Sequence, residues 1–442
     1  MSRKTRILAT FVASAFALTG LAACSSGSDA GDGKGKVYML NWKPEQKDAF
    51  EKIAAAYTKD TGVNVKVVTA ASGTYEETLK SEVSKPEAPT LFNINGPTAL
   101  KIWGDYAADL TDTKFAKDLK DPNMALKDED GKVRGVPAAV EGYGIIYNEE
   151  IMDKYFAMPG AKATKMDEIN NFAKLKEVAD DMQAHKDDLG IKGVFANSSL
   201  QTGEDWRWHT HLSNVSMYYE FKDSKVKDKD KAEFKYNKEF KNLFDLYLND
   251  STVSKKVNTS KSVADSMAEF AQGQAAMVQN GNWGWSQIKD VEGNVVKEDK
   301  IKMLPVYTGH KGEEKQGLAV GTEAFMAVNS EASEANQKAT IDFINWLFSS
   351  EKGKKFVVED LGFIAPFKSF SADEIPNDPL AKEIAASMNN DKLENISWVF
   401  TVYPSAQFKD DFGQDLAQYA TGQMDWKTVV KNFQDNWVAE RQ

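Results

Sequence analysis

Apolar side chains recur along this chain in two rhythms that alternate from segment to segment. Residues 37–42 (VYMLNW) are a short apolar run, which predicts a strand. Residues 47–60 place Phe50, Ile53, Ala54 and Tyr57 at helical spacing, and Gly62 stops that helix. Residues 63–68 (VNVKVV) alternate and are β-branched, which predicts a second strand. Strand, helix and strand in succession favour a parallel pair with a crossover helix, an α/β opening.

The same two rhythms continue. Residues 74–83 read as helix and 90–94 (TLFNI) as strand. Residues 135–148 (GVPAAVEGYGIIYN) hold two apolar runs broken by Glu141-Gly142-Tyr143-Gly144. Paired glycines in a strand pattern mark a bend or a close backbone approach. A long helix is predicted over 167–188, a strand over 194–196 and a helix over 240–248. Residues 221–238 carry too much charge for a core and read as a solvated excursion. Helix over 263–277 runs into a strand end, and a loop of glycine and tryptophan follows at 280–285 (NGNWGW). Strands at 301–306 and 324–328, helices at 338–347 and 351–358, and a helical tail over 408–442 broken at Thr421-Gly422 complete the pattern. No internal repeat is visible.

The first thirty residues follow neither rhythm. Residues 2–6 (SRKTR) are basic, 7–21 are uncharged and mostly apolar, and small residues lead to Leu21-Ala22-Ala23-Cys24. A basic head, an apolar core and a small-residue end make a secretory signal. About fifteen apolar residues are too few to span a membrane comfortably, which takes roughly twenty. The Leu-Ala-Ala-Cys ending resembles a bacterial lipobox, in which the cysteine is acylated and becomes the first mature residue. Cys24 is the sole cysteine of the chain. The expectation is a lipid-anchored protein on the extracytoplasmic face of the cell membrane, with residues 24–36, rich in Gly and Ser, as a flexible tether.

Composition narrows the function. About 400 residues follow the tether, enough for two domains. Loss of residues 1–23 takes away Arg3, Lys4 and Arg6 and no carboxylate, so the formal charge goes from −11 to −14. Such a chain repels nucleic acid, and nothing in it suggests a basic patch interleaved with aromatics. One cysteine allows no disulfide within a chain. The four histidines show no metal-ligand spacing, so neither a metal nor a cofactor is expected.

Ten tryptophans remain to be explained. Trp103, Trp346, Trp426 and Trp437 sit at helical spacing among apolar residues and are assigned to packing. Others stand with amides or carboxylates beside glycine or at predicted strand ends: Glu141 and Tyr143; Glu204, Trp206 and Trp208; Trp283 and Trp285; and Trp42, Asn95 and Trp398. Ligands of open α/β sheets bind outside the carboxyl ends of the strands. Aromatic platforms with a few placed polar groups suit a ligand that is apolar on its faces and polar on its edges, as a sugar ring is.

These segments, in this order, resemble family 1 of the extracellular solute-binding proteins of ABC importers, the group that includes the maltose-binding protein. The resemblance is carried by Asp60-Thr61-Gly62-Val63, by Ala139-Val140-Glu141 through Ile146-Tyr147-Asn148, and by Gly273-Gln274-Ala275-Ala276-Met277. It continues through Asn280-Gly281-Asn282-Trp283-Gly284-Trp285 and from Phe343-Ile344 to Gly362, Ala365 and Pro366. It implies two α/β lobes, each a mixed sheet flanked by helices, joined by a hinge that the chain crosses more than once. The lobes are expected at 37–140 with 308–365, and at 141–307 with 366–442. By resemblance Glu141 stands where a hinge-side carboxylate bonds sugar, Trp283 at a stacking position with Trp285 in the same motif, and Trp398 near a second stacking position. Glu204 and Trp206 fall in a segment that supplies further contacts, and Asn95 in an early loop that reaches the cleft.

The implied function is capture of an oligosaccharide by a monomer that delivers it to permease subunits. Two rivals stay open. A binder of the same fold for a polyamine or nucleoside would also use aromatics, a polyamine site adding clustered carboxylates. A surface glycoside hydrolase would need two acids at a fixed separation. Glu141, Glu204 and Glu323 are available, but nothing in the sequence pairs them, and no G-x-S-x-G, H-E-x-x-H or Gly-rich phosphate loop is present.

Overall fold

The structure is a computed structural model that describes residues 33–71, 73–371 and 373–441. Cys24, the signal and most of the tether lie outside the described residues. Among the described residues, twelve strands form two sheets. The first contains β1 (Lys36–Asn41), β2 (Asn64–Thr69), β3 (Leu91–Ile94), β4 (Leu126–Lys127), β5 (Val133–Pro137) and β11 (Phe325–Val328), in the order β2-β1-β3-β11-β5-β4. β1 runs parallel to both β2 and β3, whereas β11 enters antiparallel between β3 and β5. The second contains β6 (Glu141–Asn148), β7 (Gly193–Phe195), β8 (Ala275–Gly281), β9 (Ile301–Leu304), β10 (Gln316–Gly321) and β12 (Glu394–Ser397), ordered β12-β10-β6-β8-β7 with β9 beside β6.

The opening unit forms as its pattern requires. Helix Lys47–Thr61 buries Phe50, Ile53, Ala54 and Tyr57, ends at a left-handed Gly62 and crosses between the parallel strands β1 and β2. Val37 and Met39 lie on one face of the first sheet with Phe343 and Ile344, and Leu40 and Phe92 on the other with Leu79 and Trp103. β6 is buried along its whole length. Tyr143, Ile145 and Tyr147 pack to one side and Ile146 to the other. Its glycines mark close approach: a β-carbon on Gly144 would lie against the Leu304 carbonyl and 2.7 Å from Leu318 Cδ2.

The chain passes between the sheets at 137–141, at 321–325 and again between Phe370, packed in the first lobe, and helix Pro379–Met388 in the second. The first two crossings are tied together where the Thr322 hydroxyl donates to the Ala139 carbonyl at 2.9 Å. This corrects the expected boundaries. The sequence places residues 308–321 in the first lobe, but β10 pairs Ala319 with Tyr143 and Val320 with Gly142 in the second sheet. Phe367 and Phe370, assigned to the second lobe, pack in the first, where Phe367 bridges Leu119. Short apolar β10 and the four-residue β12 carry too weak a periodicity to be read as strands.

Residues 221–238 are also not a free excursion. Phe221, Ala232 and Phe234 are fully buried, and the loop is pinned by the buried Glu220 carboxylate. That carboxylate accepts the backbone N–H groups of Glu233 and Lys235 at 2.8 Å each and the Lys229 ammonium at 2.9 Å. Charge density along the segment hid three apolar anchors.

Candidate functional site

Strand ends from both sheets converge between the lobes. β1 runs into Trp42 and Lys43, β3 into Asn95, β8 into the turn Asn282–Trp285, β10 into Glu323 and β12 into Trp398, while β6 begins at Glu141. The lobes touch around this point. Lys43 Nζ lies 2.8 Å from Glu141 Oε1, and the Thr98 hydroxyl donates to the Tyr403 carbonyl at 2.9 Å. A β-carbon on Gly96 would lie 2.9 Å from Thr401 Cβ, and one on Gly73 2.7 Å from the Gly203 carbonyl oxygen. The described chain is therefore closed.

The second lobe supplies an aromatic cluster. His211 stacks on Tyr143 with centroids 4.1 Å apart and receives Trp206 edge-on at 4.7 Å. Trp283 lies 5.4 Å from His211, 6.0 Å from Trp206 and 6.3 Å from Trp398. Trp398 continues to Phe400 at 5.2 Å. Across the cleft Trp42 packs edge-on against Tyr75 at 6.1 Å. The Lys43 ammonium joins the two halves, 5.8 Å from the Trp42 centroid and 5.6 Å from that of Trp283.

A π-helical turn, Arg207–Leu212, sets this geometry. In an α-helix Trp206 would share a face with Thr210. The wider turn aligns residues five apart, so His211 comes beneath Trp206. Trp208 is turned the other way. It is 1% exposed, packs against Phe244 and Tyr247, and donates its indole N–H to the Ser198 carbonyl at 3.1 Å. Trp208 is a core residue, against expectation.

Two further expectations are corrected by position. Glu204 is engaged in structure: its carboxylate accepts the Val263 N–H at 2.7 Å, at the start of helix Val263–Ala271. Trp285 packs against the cluster containing Met267, Phe270 and Ile288, apart from the cleft aromatics. Tyr143 is at the site but fully buried beneath His211, its hydroxyl donating to the His211 carbonyl at 2.9 Å, so it supports the platform. Trp42, Asn95, Glu141, Trp206, Trp283, Glu323 and Trp398 remain around the cleft.

Charge alternates here. Burial alone would lower the Lys43 ammonium, but Glu141 and Glu45 outweigh it and hold the pKa above its ordinary value. Burial pushes the half-buried Glu323 carboxyl up to about 7; Lys43 and Lys409 oppose this and Glu141 and Glu45 add to it. Arg207, 2% exposed, stacks on Trp206 with its guanidinium carbon 3.8 Å from the ring centroid and donates through Nε to Asn280 Oδ1 at 3.1 Å. Burial pushes it down to about 9, which leaves it charged at neutral pH. Burial, with Arg207, His209 and Lys43 nearby, holds His211 well below the usual imidazole range, so its ring is neutral.

Lys43, Arg207, His211 and Phe400 were not picked out from sequence. Lys43 follows Trp42 at a strand end, so the rule that selected Trp42 could have taken its neighbour. For His211 no signal existed, because its position depends on the π-turn.

Five polar atoms of this cluster share one property. Trp42 Nε1, Trp283 Nε1, Trp398 Nε1, Asn95 Oδ1 and His211 Nδ1 are all buried without a hydrogen-bond partner in the protein. Buried groups of this kind are uncommon, and five around one cleft call for a common partner. No cluster of metal-ligating side chains occurs among the described residues. No described helix is long and apolar enough to cross a membrane.

Known proteins agree with this architecture. The model of a family described as bacterial extracellular solute-binding protein matches residues 52–383. Over 145 residues the chain is 31% identical to the melibiose/raffinose/stachyose-binding protein MelE of Bacillus subtilis (strain 168), a match that covers 32% of this chain and only 33% of that relative. Among solved structures, a chitin oligosaccharide binding protein superposes with a TM-score of 0.71 at 17% identity, covering 92% of this chain and 99% of that one. RafE in complex with raffinose gives 0.70 at 18% identity, with 92% and 100% covered. A sugar transporter from Bacillus licheniformis in complex with stachyose gives 0.67 at 17% identity, again with 92% and 100% covered. At those identities the likeness speaks for the two-lobed fold, while the family match spans most of the chain. The chain belongs to the bacterial extracellular solute-binding proteins.

Proposed function

We propose that this protein is the lipid-anchored solute-binding component of an ABC importer, and that it captures a neutral oligosaccharide between its lobes and delivers it to permease subunits. The observation that carries this reading is the set of unpartnered groups in the cleft. Three indole N–H donors, one amide oxygen and a neutral imidazole nitrogen border aromatic faces contributed by both lobes. A sugar ring meets both demands: its C–H faces stack on indole, and its hydroxyls accept from N–H groups and donate to oxygen. A ligand held by Trp42 on one lobe and Trp283 and Trp398 on the other favours the closed state by its differential affinity. The relatives named for raffinose, stachyose and chitin oligosaccharides support an oligosaccharide over a single sugar.

In this reading the protein binds and does not cleave. Its cleft carboxylate Glu141 is engaged by the Lys43 ammonium at 2.8 Å. Cys24 carries the acyl anchor, residues 25–36 are the leash, and the mature protein works as a monomer on the outer face of the cell membrane, at high local concentration near its permease.

The test is a thermal-shift and calorimetric screen against melibiose, raffinose, stachyose, chitin oligosaccharides and maltodextrins. A ligand at a hundred times its dissociation constant adds about 2.7 kcal/mol of stability. A panel without a single response, or release of product during incubation, removes the reading. The anchor is tested separately: Cys24→Ala is expected to move the protein from the membrane fraction to the medium.

A further inference from the structure

The Lys43 side chain occupies the middle of the cleft. Its ammonium is 2.8 Å from Glu141 Oε1 and 3.7 Å from Glu45 Oε1. It is also within reach of two indole faces from opposite lobes, 5.8 Å from the Trp42 centroid and 5.6 Å from that of Trp283. The Lys43 and Glu141 side chains retain only 12% and 5% of their exposure. A buried carboxylate flanked by aromatic faces is the chemistry that recognises an organic ammonium. Here that chemistry is already satisfied from within the chain.

We propose that Lys43 is a specificity residue: its ammonium fills a built-in cation subsite, formed by the Glu141 carboxylate and the faces of Trp42 and Trp283, and thereby excludes amine-bearing ligands from the cleft. A ligand cation entering beside Lys43 would meet like charge in a partly desolvated space, and one replacing it would have to displace an ammonium tethered at high effective concentration. A neutral ligand faces neither obstacle. The subsite itself rests on Lys43, Glu141, Trp42 and Trp283, with Glu45 as a second carboxylate at 3.7 Å; that the accepted ligand is a neutral sugar rests on the function proposed above.

The test uses the full chain and n-butylammonium chloride, with sodium chloride at equal ionic strength as the control. The wild-type Tm is expected to show no amine-specific change. Lys43→Met empties the subsite, and n-butylammonium is expected to raise its Tm by about 2 °C or more over the salt control. The double variant Lys43→Met/Glu141→Gln is expected to lose that rise. No amine-specific rise in Lys43→Met, an equal rise in the wild type, or a rise that survives Glu141→Gln overturns the proposal. Lys43→Gln provides the same reading should the methionine variant not melt cooperatively. Both are prepared with and without the amine: folding only in its presence supports the subsite, and folding in neither condition overturns it. The two readings separate cleanly. Wild-type protein that binds a neutral oligosaccharide, with no amine rescue of the variants, removes the cation subsite alone. Amine rescue beside a wild type that binds no sugar removes the sugar reading alone.

Discussion

The indole of Trp398 rests directly on the backbone of Gly321: a β-carbon at Gly321 would lie 2.6 Å from Cδ2 and 2.7 Å from Cβ of the tryptophan. Gly321 ends β10 and pairs with Glu141 across the hinge side of the second sheet. The strand that carries the chain between lobes thus also fixes the height of an aromatic platform. Gly321→Ala is expected to push Trp398 out of place. The cost in stability is about 1–3 kcal/mol, as for overpacking elsewhere. The larger effect is on binding, where displacement of one stacking ring is expected to weaken the best ligand about tenfold or more by calorimetry. Unchanged affinity would place Trp398 outside the ligand contacts.

Trp283 faces Trp206, His211, Trp398 and the Lys43 ammonium in the cleft. It is only partly buried, so its removal leaves the core intact. Trp283→Ala is expected to lower oligosaccharide affinity by about 2 kcal/mol or more, roughly thirtyfold, with a Tm close to that of the wild type. A titration indistinguishable from wild type would remove Trp283 from the site.

Trp206 and Trp208 test how far sequence reasoning reaches. Both stand in one short segment, and strand-end and composition rules treat them alike. The π-turn separates them, sending Trp206 to His211 and Arg207 and Trp208 to Phe244 and Tyr247. Trp208→Ala is expected to cost about 3–5 kcal/mol of stability. Trp206→Ala is expected to cost about 1 kcal/mol, largely its stacking with Arg207, and to act on binding instead. Urea titration of both variants decides: equal losses would contradict the assignment.

The same contrast shows what was legible. The opening strand–helix–strand unit could be read because each element carries its own period and stop signal, from Phe50 and Ile53 to Gly62. The α/β class followed from that pattern, the two lobes came with the family resemblance, and the glycine–tryptophan turn around Trp283 was legible from its own composition. Features set by tertiary register were not legible. β10 is a glutamine followed by five apolar or small residues, and its lobe is decided by pairing with β6. Glu204 has the sequence setting of a cleft carboxylate, but the Val263 N–H, fifty-nine residues away, claims it. His211 reaches the cleft through the π-turn Arg207–Leu212, whose pattern no α-helical period describes.

Two groups in the cleft give it opposing responses to pH, and variants separate them. Burial raises the Glu323 pKa to about 7 from an ordinary 4.5, with Lys43 and Lys409 opposing the shift. The folded protein therefore binds more protons than the unfolded chain between these values. The stability Glu323 contributes is complete below about pH 4.5 and is lost as pH rises to about 7. His211 runs the other way, since burial holds its folded pKa well below 6.5. Its contribution is present above pH 6.5 and is lost as pH falls through the folded value. Wild-type Tm reports the sum of these terms. The difference in Tm between wild type and Glu323→Gln isolates the first: it should favour the wild type more at pH 5 than at pH 7.5, with the change centred between about 4.5 and 7. A difference that is flat across that window would show that Glu323 ionises as it does in the unfolded chain. It would also take from the closed cleft a protonated carboxyl that can donate a hydrogen bond to an incoming ligand at mildly acid pH.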